Sequence, residues 1–260
     1  MPVDEQTSLD LTFDTIFKGA LTVKQPRSGY RFAIDALFLA DFTSVKPGQI
    51  IVDLGTGVGV VALALARGMG RGRVIAVEIQ PRLAQCARMN AKDNHLDSLI
   101  EILEMNWSEI TTETIGGPAD HVVCNPPYRR LGSGRISPNQ EEAVARHELK
   151  GSLSSAAQTA ARLLTPGGQF SVIYPAARLA SLVLELRKHD LEPKRLRLVH
   201  SRPDERARLA LVEAKLGSGE ELVVCPPLFV YQTGKAYSAE VEAILCGKSS
   251  AQPKGHANSS

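Results

Sequence analysis

The chain has 260 residues, 43% of them hydrophobic and 22% charged, and 30 Lys or Arg against 28 Asp or Glu leave a net charge of +2. That size fits one substantial α/β domain or two small ones, and that charge excludes a general polycation, so any nucleic-acid contact has to be a local patch. The longest apolar runs, such as Val58 to Ala66, fall far short of a bilayer span, Met1 to Glu5 show no secretory head, and Cys86, Cys124, Cys225 and Cys246 lie too far apart for metal spacing, which favours reduced thiols in a cytoplasmic protein without a metal.

Residues 1 to 10 are polar and read as frayed. Leu11 to Val23 holds two short apolar stretches around Lys18-Gly19, the pattern of a hairpin. A turn-rich segment, Gln25 to Phe32, then carries two aromatics and two arginines, and Ile34, Leu37, Phe38 and Phe42 give helical spacing over Ala33 to Phe42. Pro47-Gly48 closes this part, and residues 1–45 read as a small N-terminal cap on a domain spanning 46–247, with a disordered tail at 248–260.

Gln49 to Leu54 reads as a strand with Asp53 at its carboxyl end, followed by Gly55-Thr56-Gly57-Val58-Gly59 and an alanine-rich helix from about Val60 to Arg67. Strand, glycine loop and helix open a nucleotide-binding βαβ unit, because glycines let the backbone turn sharply and approach a ligand closely. The second strand, Arg73 to Val77, ends at Glu78, where a carboxylate can take both hydroxyls of a ribose. Asp53 at the strand tip opposes a pyrophosphate and suits a ligand with an ammonium group. S-adenosylmethionine (SAM), which has an α-amino group, a cationic sulfur, a diol and no phosphate, meets those demands. The alternative is a glycine loop that only packs a helix on a strand.

Pro81 to Asn94 reads as the next helix, and Leu99 to Leu103 as the third strand, which runs into Glu104-Met105-Asn106-Trp107. Asn106 is placed to hydrogen-bond an adenine amine, and Trp107 either packs beside it or fills the core. The fourth strand, Asp120 to Cys124, delivers Asn125-Pro126-Pro127-Tyr128. The two prolines stiffen this turn and keep it out of a ladder. It offers one amide, one nearby carbonyl and one aromatic ring, a set that suits a flat base with an exocyclic amine. Ligands of an open parallel sheet collect at the carboxyl ends of its strands, so Asp53, Glu78, Asn106 and Asn125 should share one cleft.

The segment 53–59, Glu78 and 125–128 together resemble class I SAM-dependent methyltransferases that act on exocyclic or amide nitrogen. Ser28 to Ala36, Ala207 to Ala214 and Pro226 to Tyr231 further resemble the bacterial tRNA(Val) N6-adenine methyltransferase family, whose members modify the adenosine next to the anticodon. The resemblance runs over about residues 20 to 240. It implies a Rossmann-like fold with a central, mostly parallel seven-stranded sheet and flanking helices. It also implies methyl transfer from SAM, with S-adenosylhomocysteine as product, to the N6 of an adenosine in tRNA. In that reading Asn125, Pro126, Pro127 and Tyr128 are catalytic, and Tyr30, Arg31, Asp53, Gly55, Thr56, Gly57, Gly59, Glu78, Ile79, Asn106 and Trp107 bind the cofactor. Asn106 stands where many relatives carry Asp, keeping an acceptor oxygen but losing a charge. Glutamine-amide methylation and rRNA or DNA adenine methylation use the same turn, although no spare length is left for a DNA-recognition region. A SAM- or RNA-binding module without activity is the non-enzymatic reading, and the intact Asp53, Glu78 and Asn125 oppose it.

Arg129, Arg130 and Arg135 sit in a basic, glycine-containing stretch beside the target turn, placed to hold RNA phosphates. Gln140 to Glu148 and Ser152 to Leu164 read as helices, Thr165 to Gly168 as a turn, Gln169 to Tyr174 as the fifth strand and Arg178 to His189 as a helix. Arg187 to Arg208 carries eight basic and four acidic residues, an excess read as an RNA-facing surface that includes Lys194, Arg195 and Arg197. Arg208 to Leu216 and Glu221 to Val224 read as the last strands. His121, inside a strand, is expected in the core, and His147 carries no role.

Overall fold

The computed structural model describes residues 10–28, 31–126, 153–232 and 234–248. A hairpin of β1 (Leu11–Ile16) and β2 (Leu21–Pro26) comes first, then α1 (Asp35–Phe42). The βα units are β3 (Ile50–Leu54), α2 (Val60–Met69), β4 (Arg73–Glu78), α3 (Pro81–Asp93) and β5 (Ile100–Glu104), followed by a 3-10 turn at Trp107–Glu109 and β6 (Ala119–Cys124). The second half contains α4 (Leu153–Leu163), β7 (Leu164–Pro175), a 3-10 turn at Ala176–Arg178, α5 (Leu179–Arg187), β8 (Leu191–His200), β9 (Ala207–Leu216), two-residue strands β10 (Val223–Val224) and β11 (Leu228–Phe229), and α6 (Ala239–Leu245).

The sheet order is β10-β8-β9-β7-β6-β3-β4-β5, with β11 also paired to β8. β9 runs antiparallel to β7 and β8, and the other pairings are parallel. Seven strands form the expected frame. The count rises to nine because β10 and β11 add short parallel pairings along the outer side of β8. Strands buried on both faces read as continuous apolar runs, and Ile51, Val52, Leu54, Val74, Ile75, Ala76, Val122 and Val123 are all closed to solvent.

Two apolar layers sandwich the sheet. One packs α1, α2, α3 and the hairpin through residues such as Val23, Phe38, Leu63 and Cys86, and the other packs α4 and α5 through Ala157, Leu163, Leu182 and Leu186. The hairpin is riveted rather than merely apposed. Asn90 of α3 accepts from Lys24 N–H at 2.7 Å and donates to Lys24 C=O and Val58 C=O, each at 2.8 Å. Asn94 makes the same paired contact with Thr22.

Three readings need correction. Thr165 to Gly168 is not a turn between elements but an irregular stretch inside β7, where the pairing with β6 shifts between Ala119 and His121. The helix expected from Arg178 begins at Leu179 after the 3-10 turn and ends at Arg187. The basic run 187–208 contains a ten-residue strand, β8, that the charges disguise. The expected helix Gln140 to Glu148, with His147, lies outside the described residues. Among the described residues no helix is long and apolar enough to cross a membrane, and no group of His, Cys, Asp and Glu could hold a metal ion.

Candidate active site

The strand order reverses between β3 and β6. Their register pairs Leu54 with Cys124, so Gly55 and Asn125 leave neighbouring strands side by side. The glycine loop is tied down at once. Gly55 N–H and Thr56 N–H both donate to Val77 C=O at 2.9 Å, and Gly59 N–H donates to Thr56 C=O at 3.0 Å. Gly55, Gly57 and Gly59 have φ of 72°, 60° and 90°, a region that costs an L side chain about 1–2 kcal/mol. A Cβ on Gly55 would stand 2.8 Å from the Trp107 ring.

Asp53 is buried, and its Oδ2 accepts from Thr56 Oγ1 at 2.6 Å. Burial pushes its pKa up to about 7; the Thr56 hydroxyl opposes that rise and the nearby Glu78 charge adds to it. Glu78 is also buried, and two backbone amides hold it: Gly57 N–H at 2.8 Å on Oε2 and Gln80 N–H at 2.9 Å on Oε1. These two amides fix the plane of its carboxylate. Ile79 follows with an exposed apolar side chain. One strand tip thus carries an oriented carboxylate next to an apolar platform.

Asn106 is exposed, and its Oδ1 accepts from Ser108 N–H at 3.0 Å, capping the 3-10 turn. Trp107 is half-buried; its Nε1 donates to Ser155 Oγ of α4 at 3.1 Å, and its ring lies against Gly55. It therefore joins the second apolar layer and props the glycine loop together. Asn125 and Asp53 line one small pocket with Gly55, Thr56, Val58 and Phe32. Phe32 is signalled in the sequence as one of the two aromatics of the turn-rich segment that precedes α1. Pro126 is buried beside Asn125.

Arg31 is held elsewhere, by the hairpin: it donates to Thr12 Oγ1 and pairs with Asp14, both at 3.0 Å. Tyr30, Pro127, Tyr128, Arg129, Arg130 and Arg135 lie outside the described residues. The three other RNA candidates are engaged internally. Lys194 donates to Gly219 C=O and Glu220 C=O, Arg195 pairs with the buried Glu213 at 3.1 Å, and Arg197 pairs with Glu240 at 2.6 Å and donates to Pro226 C=O. His121 is a core residue as expected: it is fully buried, bonds Ser171 Oγ at 2.9 Å, and burial pulls its pKa down to about 3.

The family model described as the methyltransferase small domain matches residues 32–185. A tRNA1(Val) (adenine(37)-N6)-methyltransferase of Aeromonas salmonicida is 30% identical over 83% of this chain and 89% of its own. The enzyme of that name from Phocaeicola vulgatus is 28% identical over 86% of this chain and 92% of its own. Among solved structures, a "predicted O-methyltransferase" of Agrobacterium tumefaciens is 26% identical with a TM-score of 0.67, over 82% of this chain and 96% of that one. With more than half of its length inside the matched model, the chain belongs to the methyltransferase small domain family.

Proposed function

We propose that the protein transfers a methyl group from SAM to the exocyclic N6 of an adenosine in tRNA, beside the anticodon. One observation carries the reading: Asn125 and Asp53 line the same pocket at the sheet's switch in strand order. The substrate choice is supported by the relatives, which carry that activity in their names.

The residues present suit SAM. A buried carboxylate at a strand tip favours an ammonium group, and that charge in turn favours ionised Asp53. Glu78 is aimed by two amides to receive a diol. Ile79 and Asn106 flank the place for adenine, as an apolar face and a polar edge. SAM supplies an activated methyl on a cationic sulfur.

The protein's own work is positioning. The lone pair of an adenine amine is delocalised into the ring, so it is a weak nucleophile. The Asn125 side-chain oxygen and the Pro126 carbonyl accept the two amine hydrogens. This draws the nitrogen towards tetrahedral geometry and aims its lone pair at the methyl. Tyr128 stacks on the base. His121, on the strand that leads to Asn125, is buried in the core with its pKa pulled down to about 3 and takes no proton; orientation supplies much of the rate. The transferring amine releases its proton to solvent after the methyl is in place.

The test is transfer of labelled methyl from SAM to unmodified tRNA, followed by nucleoside analysis. Label appears as N6-methyladenosine and falls by at least about 100-fold in Asn125→Ala, which keeps SAM binding. Label on a protein fraction and none on tRNA moves the activity to glutamine methylation.

A further inference from the structure

The basic run splits into two halves with different surroundings. Lys194, Arg195 and Arg197 on β8 spend their hydrogen bonds on the protein itself. Past the end of β8 the picture changes. β8 runs parallel to β6, because both lie antiparallel to β9 or parallel to its neighbour β7. The β8–β9 connection, Ser201–Arg206, therefore emerges at the carboxyl end of the sheet, the end that carries Asn125. Arg206 and Lys235 are exposed there and, among the described residues, bond no partner. Arg202 and Arg208 share Glu205, at 2.9 and 3.3 Å, so Glu205 and the exposed Asp204 offset only two of the four cations.

Aromatic side chains interleave with these cations. Tyr231 and Tyr237 stack with ring centroids 5.4 Å apart and planes 11° from parallel, and Tyr237 keeps 37% of its surface exposed. Arg202 lies 5.6 Å over the Tyr231 ring and donates to Gly234 C=O at 2.9 Å, fixing the loop that carries both tyrosines. Rigid aromatic faces beside unpaired cations are the two features with which proteins hold single-stranded nucleic acid, since every base has a π face and every phosphate a charge. Three strand spacings, roughly 14 Å, separate β8 from β6, a gap that a few nucleotides of a splayed loop can span.

We infer that Arg206, Lys235 and the Tyr231–Tyr237 stack form an RNA-docking surface that grips the looped strand next to the flipped adenosine. This rests on the tRNA reading above. Arg206→Glu combined with Lys235→Glu should raise the dissociation constant for a tRNA transcript about tenfold or more and flatten its salt dependence. Tyr237→Ala should weaken binding about tenfold with the salt slope kept. SAM affinity should be unchanged in both. Arg67→Glu with Arg71→Glu, exposed at the opposite end of the sheet, should leave tRNA binding as it is. Wild-type affinity and slope in Arg206→Glu/Lys235→Glu, or an equal loss in the opposite-end variant, would overturn the surface. Binding is read directly, so a wild-type protein that binds tRNA through this patch yet transfers no methyl would fell only the proposed reaction.

Discussion

Asp53 is a buried carboxylate whose own surroundings oppose its charge. Its folded pKa of about 7 lies above the ordinary 3.8. The folded protein therefore binds this proton more tightly than the unfolded chain. The sign follows: stability from this group is full at low pH, falls as pH rises from about 4 to 7, and is lost above 7. Asp53→Asn removes the penalty, so the ligand-free variant should be roughly 2–4 kcal/mol more stable than wild type at pH 8, with the gain shrinking towards pH 4. Thermal melts at several pH values check this. SAM should raise the wild-type melting temperature and leave that of the variant where it was, because a ligand stabilises only a protein that binds it. A pH-independent difference between the two proteins would show that Asp53 stays ionised throughout. A residue that weakens its own fold is an ordinary feature of functional sites, and in the proposed reading the ammonium of SAM would compensate it.

At the scale of elements, the hairpin is held to the domain by an amide that the sequence presents only as one inner-face position of α3. Asn90 is completely buried and makes three hydrogen bonds, to both backbone groups of Lys24 and to Val58 of the glycine loop. Asn90→Ala strands those groups in the core, at a cost of about 2–4 kcal/mol. The loss should concentrate in β2 and the glycine loop, seen as faster amide exchange at residues 22–25 and 58, while β6 and β7 keep their protection. Uniform loss across the sheet would mean that Asn90 is only a packing residue. What could be read in advance was set by local physics. β3, β4 and β6 are legible because parallel strands covered on both faces need runs of β-branched residues. The glycine loop is legible because its backbone demands that residue type. β8 was hidden, since Pro193 and a register shift between Pro193 and Arg195 break its alternation, and its cations mimic a solvated face. Tertiary ties such as Asn90 to Lys24, or Trp107 to Gly55, leave no trace in any local period.

Across the whole molecule, a net charge of +2 hides a division of labour among cations that look alike in sequence. Arg195 is half-buried and spends its guanidinium on the fold. It lies 4.4 Å over the Phe42 ring and pairs with Glu213, a buried carboxylate whose pKa burial raises and Arg195 lowers. Removing one partner of such a pair leaves the other unpaired in low dielectric, whereas removing both is often tolerated. Arg195→Met should therefore cost about 3 kcal/mol, lower the melting temperature most where Glu213 is ionised, and leave the affinity of the surviving folded protein for tRNA unchanged. Adding Glu213→Leu should restore much of the stability. This is the reverse of what a phosphate-gripping arginine would do, for then the single variant would melt normally and bind tRNA weakly with a flatter salt dependence. Denaturant melts and salt-dependent tRNA binding on the same three proteins separate the two outcomes. They test whether the inner half of the basic run builds the sheet edge while only its outer half, at the carboxyl end, meets RNA.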